Sequence, residues 1–101
     1  MNEANMESAI IREFAGKVSY QAGAGADKVV KAGQGVLHAI IVGKDVTGGV
    51  IEVSDHVSDG GGNVKIYLAD PAVGVYPVHV LFEDGITVDM TTQTNVSFIY
   101  S

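Results

Sequence analysis

The stretch SDHVSDGGGNVK, residues 54–65, gathers Asp55, His56, Asp59 and Asn63 around three consecutive glycines. Oxygen donors at that density suit a hard cation such as calcium. The spacing argues against it. An EF-hand loop needs ligands at alternate positions, a glycine at the sixth and a bidentate glutamate at the twelfth, whereas here the glycines come together and no glutamate follows within reach. A phosphate cradle fits no better, because it requires Gly-Lys-Ser/Thr opening a helix and this run opens the strand-like NVKIYLA. Asp55 and Asp59 would also repel an anion. Gly60 to Gly62 read instead as a turn between strands, flanked by Asp and Asn that hydrogen-bond their own backbone. As a tip, the turn could also touch a partner.

The other candidate chemistry is thinner. In KAGQGVLHAIIV, residues 31–42, Gly33 and Gly35 precede a strand, while a dinucleotide site needs GxGxxG between strand and helix. His38, His56 and His79 are scattered and show no ligand spacing. His38 alternates with Val36, Ile40 and Val42, as a core or interface histidine with a satisfied ring would. The chain has no cysteine, hence no disulfide framework and no thiolate ligand or nucleophile. No GxSxG elbow is present, and Asp84 and Asp89 are explained by a turn and a solvent face. The sequence does not read as an enzyme, and it implies no cofactor and no metal. In DMTTQTNVSFIY, residues 89–100, and just before it, Thr87, Asp89, Thr91 and Gln93 form a polar face suited to solvent or to lateral packing against another β surface.

The elements behind these residues are β-strands. Valine dominates the apolar residues and 13 glycines punctuate short runs in a chain of 101 residues, which is one domain's worth of core. Seven strands are expected, at about 28–32, 36–42, 50–54, 64–69, 76–82, 86–90 and 95–100, with a possible eighth at 17–20. Period-two alternation marks a core of Val64, Ile66, Leu68, Val78, Val80, Phe82, Ile86, Val88, Met90, Val96, Phe98 and Tyr100. The Asp-Gly in FEDGIT predicts a hairpin over 78–90, and Pro77 favours an edge strand or a strand's first residues. The expected fold is all-β: one antiparallel β-sandwich, jelly-roll or Ig-like, over residues 27–101. Residues 1–26 read as an N-terminal arm and linker. Met6, Ala9, Ile10 and Phe14 recur at helical spacing, so residues 3–15 form either a short helix or an extended arm, and QAGAGAD, residues 21–27, is the linker.

Twelve acidic and six basic residues give a formal charge of -6, which disfavours nucleic acid and anionic lipid as partners. The bias sharpens after Lys65, where Asp70, Glu83, Asp84 and Asp89 meet no Lys or Arg, so surfaces built there are expected to be acidic. The N-terminal residues show no signal-peptide pattern, and no apolar run approaches the roughly 20 residues that span a bilayer.

KAGQGVLHAIIVG, GGVIEVSD and VYPVHVLFEDGITVDMTTQTNVSFIY, taken in this order over residues 28–101, closely resemble a class of small tailed-phage virion proteins. Gly33, Gln34, Gly35, Val36, Leu37, His38, Asp55, Phe82 and Gly85 match its pattern and read as fold-defining. The resemblance implies an accessory capsid protein of the decoration or cement type, bound to the capsid exterior where major capsid subunits meet. It also implies a homo-trimer, made in the host cytoplasm and carried on the virion, with no catalytic or metal-binding residues. The first 26 residues fall outside the pattern, and there Met6, Ile10, Ile11 and Phe14 are the expected capsid contacts. The alternative is a β-sandwich adhesion or appendage module for a carbohydrate or host surface, with Tyr20, Tyr67 and Tyr76 as the aromatics free to stack.

Overall fold

A computed structural model describes residues 18–56 and 63–101. Residues 1–17, with the helix-or-arm reading and its Met6, Ile10, Ile11 and Phe14, and residues 57–62, with the glycine tip, lie outside the described residues. The strands are β1 (Val18–Ala22), β2 (Gly25–Ala32), β3 (Gly35–Val42), β4 (Val50–Asp55), β5 (Asn63–Ala69), β6 (Gly74–Phe82), β7 (Gly85–Thr91) and β8 (Val96–Tyr100). They form two four-stranded sheets, ordered β1-β8-β3-β6 (sheet A) and β2-β7-β4-β5 (sheet B), and every pairing is antiparallel. The pairs β1·β8, β2·β7, β3·β6 and β4·β5 are nested one inside the next. That nesting is the jelly-roll arrangement, and it decides against the Ig-like one.

The seven expected strands are all present, and the possible eighth is real. β1 pairs residue for residue with β8, from Val18 opposite Tyr100 to Ala22 opposite Val96. The segment read as a linker is therefore mostly strand: Gln21 and Ala22 end β1, Gly25 to Asp27 begin β2, and Gly23 and Ala24 join them. Small residue types suggested a flexible spacer, yet a β ladder needs only backbone donors and acceptors, which Ala and Gly supply as well as Val does.

Between the sheets, Val30, Leu37, Ile40, Val42, Ile51, Val53, Phe82, Ile86, Val88, Met90, Val96 and Phe98 form one buried cluster, flanked by Ile66, Leu68, Tyr76, Val78, Val80 and Tyr100. Two phase changes separate this core from simple alternation. In β5 an extra residue, Lys65, intrudes between the pairs Val53–Ile66 and Ser54–Val64. A bulge of one residue flips the strand's faces beyond it, and Val64 ends 48% exposed instead of in the core. In β3 the register slips between Leu37 and Ala39 against both neighbours. Leu37 is thus fully buried, while Val36 and His38, which alternation had aligned with Ile40 and Val42, are only partly covered.

The largest correction concerns FEDGIT. β6 belongs to sheet A and β7 to sheet B, so Glu83 and Asp84 carry the chain from one sheet to the other and residues 78–90 are an arch, not a hairpin. Both flanking strands turn the same apolar face inward, which a hairpin lying in one sheet and an arch across two satisfy equally well. Asp55 is the residue that fixes the arch. Its carboxylate, at the end of β4, accepts hydrogen bonds from the backbone N–H of Glu83 (3.0 Å), Asp84 (2.8 Å) and Gly85 (3.2 Å). The Gly33 N–H donates to the Asp84 carbonyl at 2.9 Å, locking the neighbouring β2–β3 turn to the same corner. Gly85 is needed there, because a Cβ would sit 2.6 Å from the His56 carbonyl oxygen and 2.9 Å from that of Lys31.

Asp55 is buried, and burial alone would raise its pKa. The three backbone donors, and then Lys65 with its Nζ 3.7 Å from Oδ2, outweigh burial and hold the pKa below the ordinary 3.8. Folding therefore favours the ionised form, and the stability this contributes is full above the unfolded-chain value and lost as pH falls below it. Asp55→Asn is expected to cost about 2–4 kcal/mol, the range for removing the charge from a buried hydrogen-bonded network. Urea unfolding should show that loss at pH 7 and a flatter stability profile between pH 5 and pH 3 than the parent, and an unchanged midpoint would refute the arch-capping role. Lys65→Met should cost less, since the pair is long and its cation partly solvated.

Candidate functional site: an uncharged sheet and its apolar rim

The residues singled out for chemistry do not converge. Asp55 is consumed by the arch, and among the described residues no group of three or more His, Asp or Glu could hold a metal ion. Of the polar face expected on β7, Thr87 is fully buried and donates to the His56 carbonyl at 2.7 Å. Gln93 is buried too, its Nε2 donating to the carbonyls of Lys44 (2.8 Å) and Thr94 (3.1 Å). Both tie loops to the sandwich, which leaves Asp89 and Thr91 as the outward members. Tyr76 is not free to stack either: it is half-buried and its hydroxyl donates to the Ala72 carbonyl at 2.6 Å. Tyr67 stands clear at 60% exposure.

Two histidines do meet. The β3 slip and the left-handed backbone of His79 (φ 50°) bring its ring edge-on to His38 with centroids 6.1 Å apart. His38 Nε2 lies 2.8 Å from the Ser101 hydroxyl, so its ring is satisfied as the sequence suggested, on the outer face of sheet A and not in the core. Nothing in the residue spacing could have announced this pair, because it depends on a bulge.

What the structure does gather is apolar surface without charge. The strands of sheet A read VSYQA, GVLHAIIV, GVYPVHVLF and VSFIY and contain no Asp, Glu, Lys or Arg, while sheet B carries Asp27, Lys28, Lys31, Glu52, Asp55, Lys65 and Asp89. The acidic surface expected after Lys65 is confined accordingly: Asp70, Glu83 and Asp84 occupy turns, Asp89 lies on sheet B, and β6 and β8 have none. β5 and β6 are the outer strands on the same side of the two sheets, and Lys65 bridges them by donating to the Leu81 carbonyl at 3.1 Å. Along this rim stand Val64, Tyr67, Val73, Val75 (38% exposed) and Leu81 (47%), and elsewhere among the described residues the only other exposed large apolar side chain is Val29. Tyr67 points to the outer side of sheet B, opposite Glu52 in register, while Val75 and Leu81 point to the outer side of sheet A, so the two outer strands offer apolar side chains on both flanks of one edge.

The rim is also guarded against strand addition. Pro77 lacks an N–H, His79 sits on a bulge and Lys65 occupies a carbonyl, all devices that stop an edge from recruiting a further strand. A partner would thus be gripped by side-chain packing. Compared with family models, with curated proteins and with solved structures, the chain matches none.

Burial, and then the facing His79, lower the pKa of His38 below 6.5. The folded protein accepts this proton less readily than the unfolded chain, so stability is full above pH 6.5 and falls as pH drops below it. His38→Gln should shrink the difference between urea midpoints at pH 7.5 and pH 5.5, a window well separated from that of Asp55. An equal difference in both proteins would show that His38 does not titrate with folding.

Proposed function

We propose that this protein is a structural module that docks on a larger protein surface through the β5–β6 rim. In line with the resemblance of residues 28–101 to tailed-phage accessory capsid proteins, we take that surface to be the exterior of a capsid. The module then clamps neighbouring major capsid subunits and acts as a decoration or cement protein, repeated as trimers over the shell. The observation that carries the reading is that Val64, Tyr67, Val73, Val75 and Leu81, on or between the two outer strands β5 and β6, are five of the six exposed large apolar side chains among the described residues. Rows of aliphatic side chains around a single aromatic suit a protein groove, where packing area matters, better than a sugar ring, which asks for aromatic faces and polar partners. A net charge of -6 fits an outward position better than contact with packaged DNA. Repetition on a symmetric lattice makes modest affinity per copy sufficient.

Val75→Asp combined with Leu81→Asp tests the rim. Both residues are exposed, so melting should hardly change. Co-sedimentation with capsids lacking the native protein should fall by about 30-fold or more in apparent affinity, since burying an unpaired charge at an interface costs about 2 kcal/mol or more. Unaltered sedimentation would place the capsid contact elsewhere. Absence of the chain from purified particles, measured by mass spectrometry against the major capsid protein, would overturn the capsid reading.

A further inference from the structure

β3 and β6 each take up one extra residue at the same level of sheet A. Between the pairs Leu37–Tyr100 and Ala39–Ile99, β3 has His38 where β8 has no residue. Between Leu37–Val80 and Ala39–Pro77, β6 has Val78 and His79 where β3 has His38 alone. Val78 packs on the inter-sheet cluster, so the displaced residue of β6 is His79, whose backbone is left-handed (φ 50°). Each bulge thus inserts a histidine, and the two rings stand edge-on with centroids 6.1 Å apart. Guarding the outer edge accounts for the bulge in β6 but not for the one in β3, an interior strand between β8 and β6. A bulge either ends a pairing or re-aims a side chain. β3 pairs with β8 on both sides of His38, so re-aiming His38 is what this one does.

We propose that His38 and His79 together bind a divalent transition metal, zinc or copper(II), on the outer face of sheet A. Imidazole suits these ions, whereas calcium and magnesium want oxygen ligands. With metal–nitrogen distances of about 2.1 Å and about 1.2 Å from nitrogen to ring centre, two imidazoles on one ion have centroids at most about 6.6 Å apart. The observed 6.1 Å lies inside that limit, and His79, which is exposed, needs only to turn its ring toward a shared ion. His38 is held as metal-bound histidines are. Its Nε2 lies 2.8 Å from the Ser101 hydroxyl, and a hydrogen bond from one ring nitrogen to an oxygen leaves the other nitrogen to bind. The Ser101 backbone is itself fixed by two hydrogen bonds exchanged with Val36, at 3.0 and 3.1 Å. The strands of sheet A contribute no Lys or Arg to repel a cation and no carboxylate to complete its shell. The remaining coordination positions therefore belong to water or to a donor from a docked partner.

Zinc titrated into the isolated full-length protein at pH 7.5 and followed by calorimetry tests the site without capsids, so its outcome is independent of the capsid reading. The expected result is one zinc per chain, with affinity lowered by more than about 10-fold in His38→Gln and in His79→Gln, unchanged in His56→Gln, and no heat from calcium. Ser101→Ala should weaken binding less than either ligand substitution, since it removes only the group that orients His38. With copper(II), electron paramagnetic resonance should show nitrogen ligation in the parent that is reduced in each single ligand variant. All four variants should keep a cooperative urea transition, which separates lost binding from lost folding. No heat with zinc at millimolar concentration, or zinc binding that survives substitution of either His38 or His79, would overturn the site.

Discussion

The jelly roll turns on one buried carboxylate. Where the chain leaves sheet A for sheet B, three consecutive backbone N–H groups lose their ladder partners, and a buried donor without an acceptor costs about 1–3 kcal/mol. Asp55 answers all three from the end of β4, so the strand that pairs with β7 also dictates how β7 is entered. Lys65 then reaches from β5 both to this carboxylate and to the β6 edge. One corner thereby sets the position of β4, β5, β6 and β7 relative to one another, and the hydrophobic cluster fills the space so defined.

The second organising fact is the partition of charge. Both sheets contribute one face to the same core, so the core alone places no demand on their outer faces. Sheet B shows the ordinary solution, with Lys28, Lys31, Glu52, Lys65 and Asp89 at least partly exposed to water. Sheet A has no charged residue in any strand and shows water the uncharged polar groups of His38, His79 and Ser97 instead. Ile99 and Ala39 are nonetheless fully buried, while Val75 and Leu81 on the outer strand of the same sheet are open.

Much of this fold is legible in the residues. Alternation locates the strands from Gly35 onward to within a residue or two, because each has one wet and one dry face, and Pro77 correctly marks an edge strand. Three kinds of information are not local. An Asp-Gly step joins two inward-facing strands in the same way whether they lie in one sheet or two, and only Asp55, about 30 residues upstream, distinguishes the arch. Bulges invert the phase of β3 and β5, misplacing Val36, His38 and Val64. Residues such as Gln21 and Ala22, which complete β1 and whose regularity comes from pairing with β8, look like a spacer when their partner is out of view. The rim was equally hidden, since β5 and β6, which carry Val64, Tyr67, Val75 and Leu81, are seen to be outer strands only once the sheet order is known.

The nesting of strand pairs also sets a timetable. Among the described strands β1 is the first to leave the ribosome, and its ladder partner, β8, is the last. At about 5–20 residues per second, the 74 positions separating Ala22 from Val96 take roughly 4–15 s to make. Throughout that interval the innermost pair, β4·β5, can close while the outer strands wait, so the polypeptide is assembled from its middle outward. Sheet A, whose strands carry no charge, therefore cannot be completed before β8 has been made.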